Sequence, residues 1–174
     1  MARKKAEEKL NLDTILFKCR DILRQARNSG SFFEKRDMML TLVFLRFIGE
    51  KFEDGTEHLR QTLIEEGLNP DDEKIWNAFF NDPTFTDGTY NLPVAARWST
   101  IINTPAPQLN VALDTALKAL GDSDKQLKGC FVEGTFTTRN LESKDIKMLV
   151  DEINKISHKK FGEEKDLIGR VYEY

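Results

Sequence analysis

Between Met38 and Ile48 only Thr41 and Arg46 interrupt a run of large apolar side chains. A helix with that pattern is apolar on nearly every side and has to be covered by its neighbours. Its eleven residues are too few to cross a bilayer, which takes about 20. The run therefore predicts a buried helix at the centre of a bundle. Ser31 and Glu34 have the spacing of a capping box that would open it, and Asp54-Gly55 predicts a break at about Glu53. A weaker stripe through Leu59, Leu63 and Ile64 then predicts a third helix, ending at Gly67 and Asn69-Pro70.

Amphipathic segments on either side supply the cover. Leu12, Ile15, Leu16, Cys19, Ile22, Leu23 and Ala26 form the i, i+3, i+4, i+7 stripe of a helix with one buried face, with Asp13 placed to cap it and Gly30 to stop it. Short helices are expected at 71–80 and 93–102. A longer one is expected from Gln108 to Leu120, ended by Gly121, followed by loop or short strand over 122–138. Ser143 to His158 carries a last stripe through Ile146, Leu149, Val150, Ile153 and Ile156, with His158 suited to the helix dipole. All five prolines fall between Pro70 and Pro107, which marks the middle of the chain as irregular. Its aromatic residues, Trp76, Phe79, Phe80, Phe85, Tyr90 and Trp98, are enough to fasten it to the helices. The expected fold is all-α: a helical bundle around a central hydrophobic helix, with an irregular Pro/aromatic-rich middle segment. The expected organisation is a flexible charged leader over 1–9, a helical domain over 10–165 and, from Asp166 to Tyr174, the start of a helix leading into a further domain.

Composition narrows the function classes. A net charge of −3 from 26 basic and 29 acidic residues is no global signature of nucleic-acid binding, so any DNA contact has to come from local patches. The candidate phosphate contacts are Lys35, Arg36, Arg97, Lys128, Arg139 and Lys144, mostly at helix starts or in loops, and Arg3, Lys4 and Lys5 of the leader are open to an anionic partner. The N-terminus is charged almost throughout and has no apolar signal region, so a cytoplasmic location is expected, without a membrane partner. Cys19 and Cys130 fit neither a zinc spacing nor a disulfide framework, and Cys19 falls on an apolar helix face.

The chemistry of an active site is missing. No Gly-x-Gly occurs among the ten glycines, which leaves no candidate for a phosphate or nucleoside loop. His58 and His158 have no triad or metal-ligand pattern around them. The carboxylates at Glu65, Glu66, Asp71, Asp72 and Glu73 read as a solvated acidic surface. Asn81-Asp82-Pro83-Thr84-Phe85 comes near the tetrapeptide with which amino-methyltransferases hold an extruded base. Thr84 stands where that motif has its second proline, and an ordinary turn is the reading here. Catalytic, cofactor-binding and metal-binding residues are all assigned as none.

Taken together and in order, LDTILFKCRDILR, MMLTLVFLRFIGEKFED, NLPVAARWSTI, LKGCF and DLIGRVYEY resemble the N-terminal helical domain of the modification (methylase) subunit of type I restriction-modification systems. The resemblance spans nearly all of Leu10 to Tyr174. It implies a bacterial or archaeal parent protein that transfers a methyl group from S-adenosylmethionine to the N6 of adenine, with cofactor loop and catalytic motif in a following domain. It also implies assembly with a specificity subunit, a second methylase subunit and a restriction subunit on double-stranded DNA. The part read here would be non-catalytic, holding the methylase on the specificity subunit and closing around DNA. A helical protein–protein adaptor without DNA contact is the alternative.

Overall fold

The structure, a computed structural model, describes residues 2–82, 91–123, 127–157 and 159, with side chains from Leu12 onward. Six α-helices run in the order α1 (Ala2–Gln25), α2 (Phe32–Glu65), α3 (Glu73–Phe80), α4 (Trp98–Ile102), α5 (Leu109–Ser123) and α6 (Ser143–Ile153), with single 3-10 turns at Val94–Ala96 and Ala106–Gln108. No strand occurs among the described residues. The all-α expectation holds.

The apolar stripes are where the periodicity puts them. Leu12, Ile15, Leu16, Cys19 and Leu23 of α1 are buried, as are Leu109, Leu113, Ala116, Leu117 and Leu120 of α5 and Ile146, Leu149, Val150 and Ile153 of α6. Along α2, Met38, Met39, Leu42, Val43, Leu45 and Phe47 are buried, and Leu40, Phe44 and Ile48 pack part-buried against the same core. Helices α1, α3, α4 and α6 all touch α2, so it is covered on several sides, as an all-round apolar helix must be. The centre is nevertheless shared: α6 packs against α1, α2 and α5 and binds closest to α1.

Several boundaries differ from the sequence reading. Helix α1 starts at Ala2, because the charged leader is rich in the good helix formers Ala, Lys and Glu; Asp13 thus lies inside the helix and not at its cap. That helix ends at Gln25, before Gly30, and the chain reverses with Asn28 in the left-handed region at φ 62°. The break expected at Asp54-Gly55 does not occur. Helix α2 continues through it for 34 residues in all, about 50 Å at 1.5 Å per residue, and Gly55 is one of its buried positions. A glycine within a helix costs about 1 kcal/mol, which burial of Phe52 and Leu59 on either side readily offsets.

Both ends of α2 are closed as the sequence suggests. Ser31 Oγ accepts from the Glu34 N–H, and Glu34 Oε2 accepts from the Ser31 N–H at 2.7 Å. At the other end Gly67, at φ +74°, forms a Schellman cap: Leu68 N–H donates to Leu63 O at 2.8 Å and Gly67 N–H to Ile64 O at 3.0 Å. The expected helix over 93–102 is split, because Arg97 is extended at ψ 134° between the 3-10 turn and α4. Gly121 does not stop α5, which runs to Ser123. Helix α6 ends at Ile153 and not at His158. Ile156, just beyond, is still buried. His158, Phe85, Tyr90 and the expected helix over 166–174 lie outside the described residues.

Two polar networks hold the irregular parts. Asp114 of α5 accepts from the Phe136 N–H at 3.0 Å, the Thr137 N–H at 2.8 Å and the Thr137 hydroxyl at 2.6 Å, while Asn110 Nδ2 donates to Leu141 O at 2.9 Å. Those bonds seat Phe136, which is fully buried, from a segment that reads as loop. The second network gathers the chain after α6 against α2 and α4. Trp98 Nε1 donates to Asn154 Oδ1 at 2.7 Å, Arg46 Nε to Ile156 O at 2.9 Å and the Ser157 hydroxyl to buried Glu50.

Candidate nucleic-acid interface

At the end of the bundle where α1 turns into α2, the hairpin brings the polar face of α1 beside the first turns of α2. Arg20 and Arg24 are one helical turn apart on α1 and share a face. Lys35 and Arg36 follow the capping box on α2. The four cations, with Phe32, line a groove of about 330 Å3 whose apolar floor is Leu23 and Met39. Arg27 is exposed in the turn between the helices. Arg139 reaches the same end from the segment before α6, where it pairs with Glu34.

Charges here are unevenly matched. Asp21 is held by Arg24 at 3.1 Å, Asp37 by Arg36 at 3.7 Å, and Glu34 by Arg139. Arg20 and Lys35 have no carboxylate partner among the described residues, so the surface is net positive on a chain that is net negative. Aromatic rings lie among the cations. Phe32 and Phe33 are 63% and 62% exposed and meet edge to face at 5.8 Å; Arg36 lies over the Phe33 ring at 5.3 Å and Arg20 over Phe17 at 5.6 Å.

Of the six cations singled out in the sequence, the structure gathers Lys35, Arg36 and Arg139 at this tip. Arg97 is turned inward: its Nε donates to Leu92 O at 3.2 Å and its guanidinium covers the Phe52 ring at 4.8 Å, so it fastens the middle segment to α2. Lys144 is exposed beside Glu142 at 3.5 Å. Lys128 lines a different groove, of about 520 Å3, together with Lys118, Asp114, Asp122 and Glu133; its mixed charges favour no anion. Sequence reasoning missed Arg20 and Arg24, whose only signal is an i, i+4 repeat on a polar face. It also passed over Phe32 and Phe33, visible as two bulky rings at positions where polar residues would serve a cap equally well.

Elsewhere several ionisable groups are structural. Asp72 caps α3 by accepting from Lys74 and Ile75 N–H, and Asp71 is bound by Arg60 at 2.7 Å. Burial, with the Glu152 charge adding to it, pushes the Cys19 thiol up to about 12. No group of three or more His, Cys, Asp or Glu side chains that could hold a metal ion occurs among the described residues, and no described helix is long and apolar enough to cross a membrane.

The pattern that defines the HsdM N-terminal domain matches residues 12–155. The chain belongs to the HsdM N-terminal domain family. A similar protein is the type I restriction enzyme MjaIX methylase subunit of Methanocaldococcus jannaschii, 24% identical over 164 residues. That match takes in 91% of this chain and 29% of the relative, so this HsdM N-terminal domain spans less than a third of the methylase subunit it resembles. No solved structure matches it. The matched residues run from Leu12 of α1 to the turn after α6 and so include the whole tip of this HsdM N-terminal domain.

Proposed function

We propose that this chain is the helical part of an S-adenosylmethionine-dependent DNA (adenine-N6) methyltransferase subunit, which assembles with a specificity subunit, a second methylase subunit and a restriction subunit and closes around double-stranded DNA. Its location in this reading is the cytoplasm. Family membership supports the methylase assignment. The observation that carries the DNA contact is the convergence of Arg20, Arg24, Lys35 and Arg36 from two helices on one groove, since phosphate contacts supply most of the affinity of sequence-independent DNA binding. Methyl transfer lies outside this chain in this reading. That the described residues contain no strand leading through a glycine-rich turn into a helix, the arrangement that holds a nucleoside cofactor, supports placing the S-adenosylmethionine site outside this chain.

The role left to the chain is positional. Bonds that link Trp98, Arg46 and Glu50 with residues 154–157 fasten the segment after α6 to α4 and to the middle of α2. A contact made at the tip of α2 is thereby tied to the segment that follows α6. DNA affinity of the protein measured against salt tests the reading. Affinity is expected to fall steeply and log-linearly as salt rises. A helical adaptor that binds only protein would show no such binding.

A further inference from the structure

Phosphate contacts account for the cations at the tip but not for the two rings between them. Exposing one large apolar side chain is ordinary; two adjacent ones, each more than three-fifths exposed, at the first two positions of α2 form a patch that something else is shaped to cover. The capping box gives these positions a fixed backbone: Ser31 and Glu34 satisfy each other's N–H, which holds Phe32 and Phe33 at the start of the helix with their side chains exposed. The ring planes of Phe32 and Phe33 stand 80° apart, so the pair presents a flat face and an edge together. Arg36 over Phe33 and Arg20 over Phe17 set guanidinium planes beside the rings.

An acidic protein segment would satisfy the charge, yet it gains little from flat faces in this order. Exposed aromatic rings and arginine planes side by side at a positive groove are what stacks on nucleobases without regard to sequence. We propose that Phe32 and Phe33 contact nucleobases directly, so that the α1–α2 tip prefers DNA whose bases are unstacked over intact duplex. The inference rests on the reading of the tip as a DNA contact. It also fits the chemistry of that reading, because methylating an adenine amine requires the base to leave the helix and leaves its former partner unpaired.

The test compares the affinity of the protein for a duplex with its affinity for the same duplex carrying a short single-stranded gap. The unmodified protein is expected to favour the gapped DNA by about tenfold, the effect of stacking on one base. Phe32→Ala/Phe33→Ala is expected to remove that preference while leaving duplex affinity within about twofold, since the phosphate contacts stay. Arg24→Ala/Lys35→Ala is expected to weaken both complexes alike and keep the preference. Both rings are exposed, so an unchanged melting temperature will show that the aromatic variant is folded. A preference that survives the loss of both rings, or its absence from the unmodified protein, overturns base contact; so does a variant impaired only in binding another protein. Failure of the unmodified protein to bind either DNA would overturn the tip as a DNA contact altogether.

Discussion

Gly49 of α2 and Trp98 of α4 meet so closely that a Cβ on Gly49 would lie 2.6 Å from the Trp98 Cβ. The missing side chain is what lets the first turn of α4 sit on α2 with the indole 98% buried and its N–H aimed at Asn154. Gly49→Ala should therefore destabilise the protein, although alanine is the better helix former by about 1 kcal/mol. Overpacking against a bulky, fixed neighbour costs about 1–3 kcal/mol, for a net loss of up to about 2 kcal/mol once the helix gain is subtracted. Denaturant unfolding of the two proteins measures it. An alanine variant as stable as the parent would mean that α4 yields freely.

Asp114 is expected to order the segment before α6. Its carboxylate takes three hydrogen bonds from Phe136 and Thr137, and a bond to a charged acceptor contributes about 1.5–3 kcal/mol when buried and less when exposed. In Asp114→Ala the Phe136 and Thr137 amides should lose most of their protection from hydrogen exchange, while those in the middle of α2 keep theirs. Equal protection in both proteins would show that burial of the Phe136 ring alone holds the segment.

The two thiols should react in sequence. Cys130 is exposed and Cys19 is buried, with burial pushing the Cys19 pKa up to about 12. Thiolate is the reactive form, so at mildly alkaline pH a thiol reagent should modify one cysteine in the native protein and both after denaturation. Rapid modification of Cys19 in the native state would contradict the close packing of α1 on α6.

How much of this is legible in the chain differs from helix to helix. The stripes of α1, α5 and α6 could be read residue by residue because period 3.6 maps directly onto burial. The length of α2 could not. Asp54-Gly55 carries a local turn signal, but Gly55 is buried and Asp54 accepts from Lys159 at 2.6 Å, a partner more than a hundred positions away. Tertiary contacts of that kind override local preference. At the tip, Lys35 and Arg36 were visible as cations at a helix start. Arg20 and Arg24 were not, because the polar face of α1 looks like any solvated face until the hairpin sets it opposite α2. Arg97 misled for the converse reason: only the fold shows that its guanidinium lies over Phe52.

The most direct measurement is the salt dependence of DNA affinity after charge removal at the tip, compared with removal elsewhere. Each phosphate contact contributes close to one unit to the slope of log affinity against log salt. Arg20→Ala/Lys35→Ala/Arg36→Ala should therefore flatten that slope by about 2–3 units. Lys128→Ala/Lys144→Ala, which removes two exposed cations outside the tip, should leave it unchanged. A slope that stays steep in the tip variant, or flattens only in the Lys128/Lys144 variant, would contradict the placement of DNA on the α1–α2 tip.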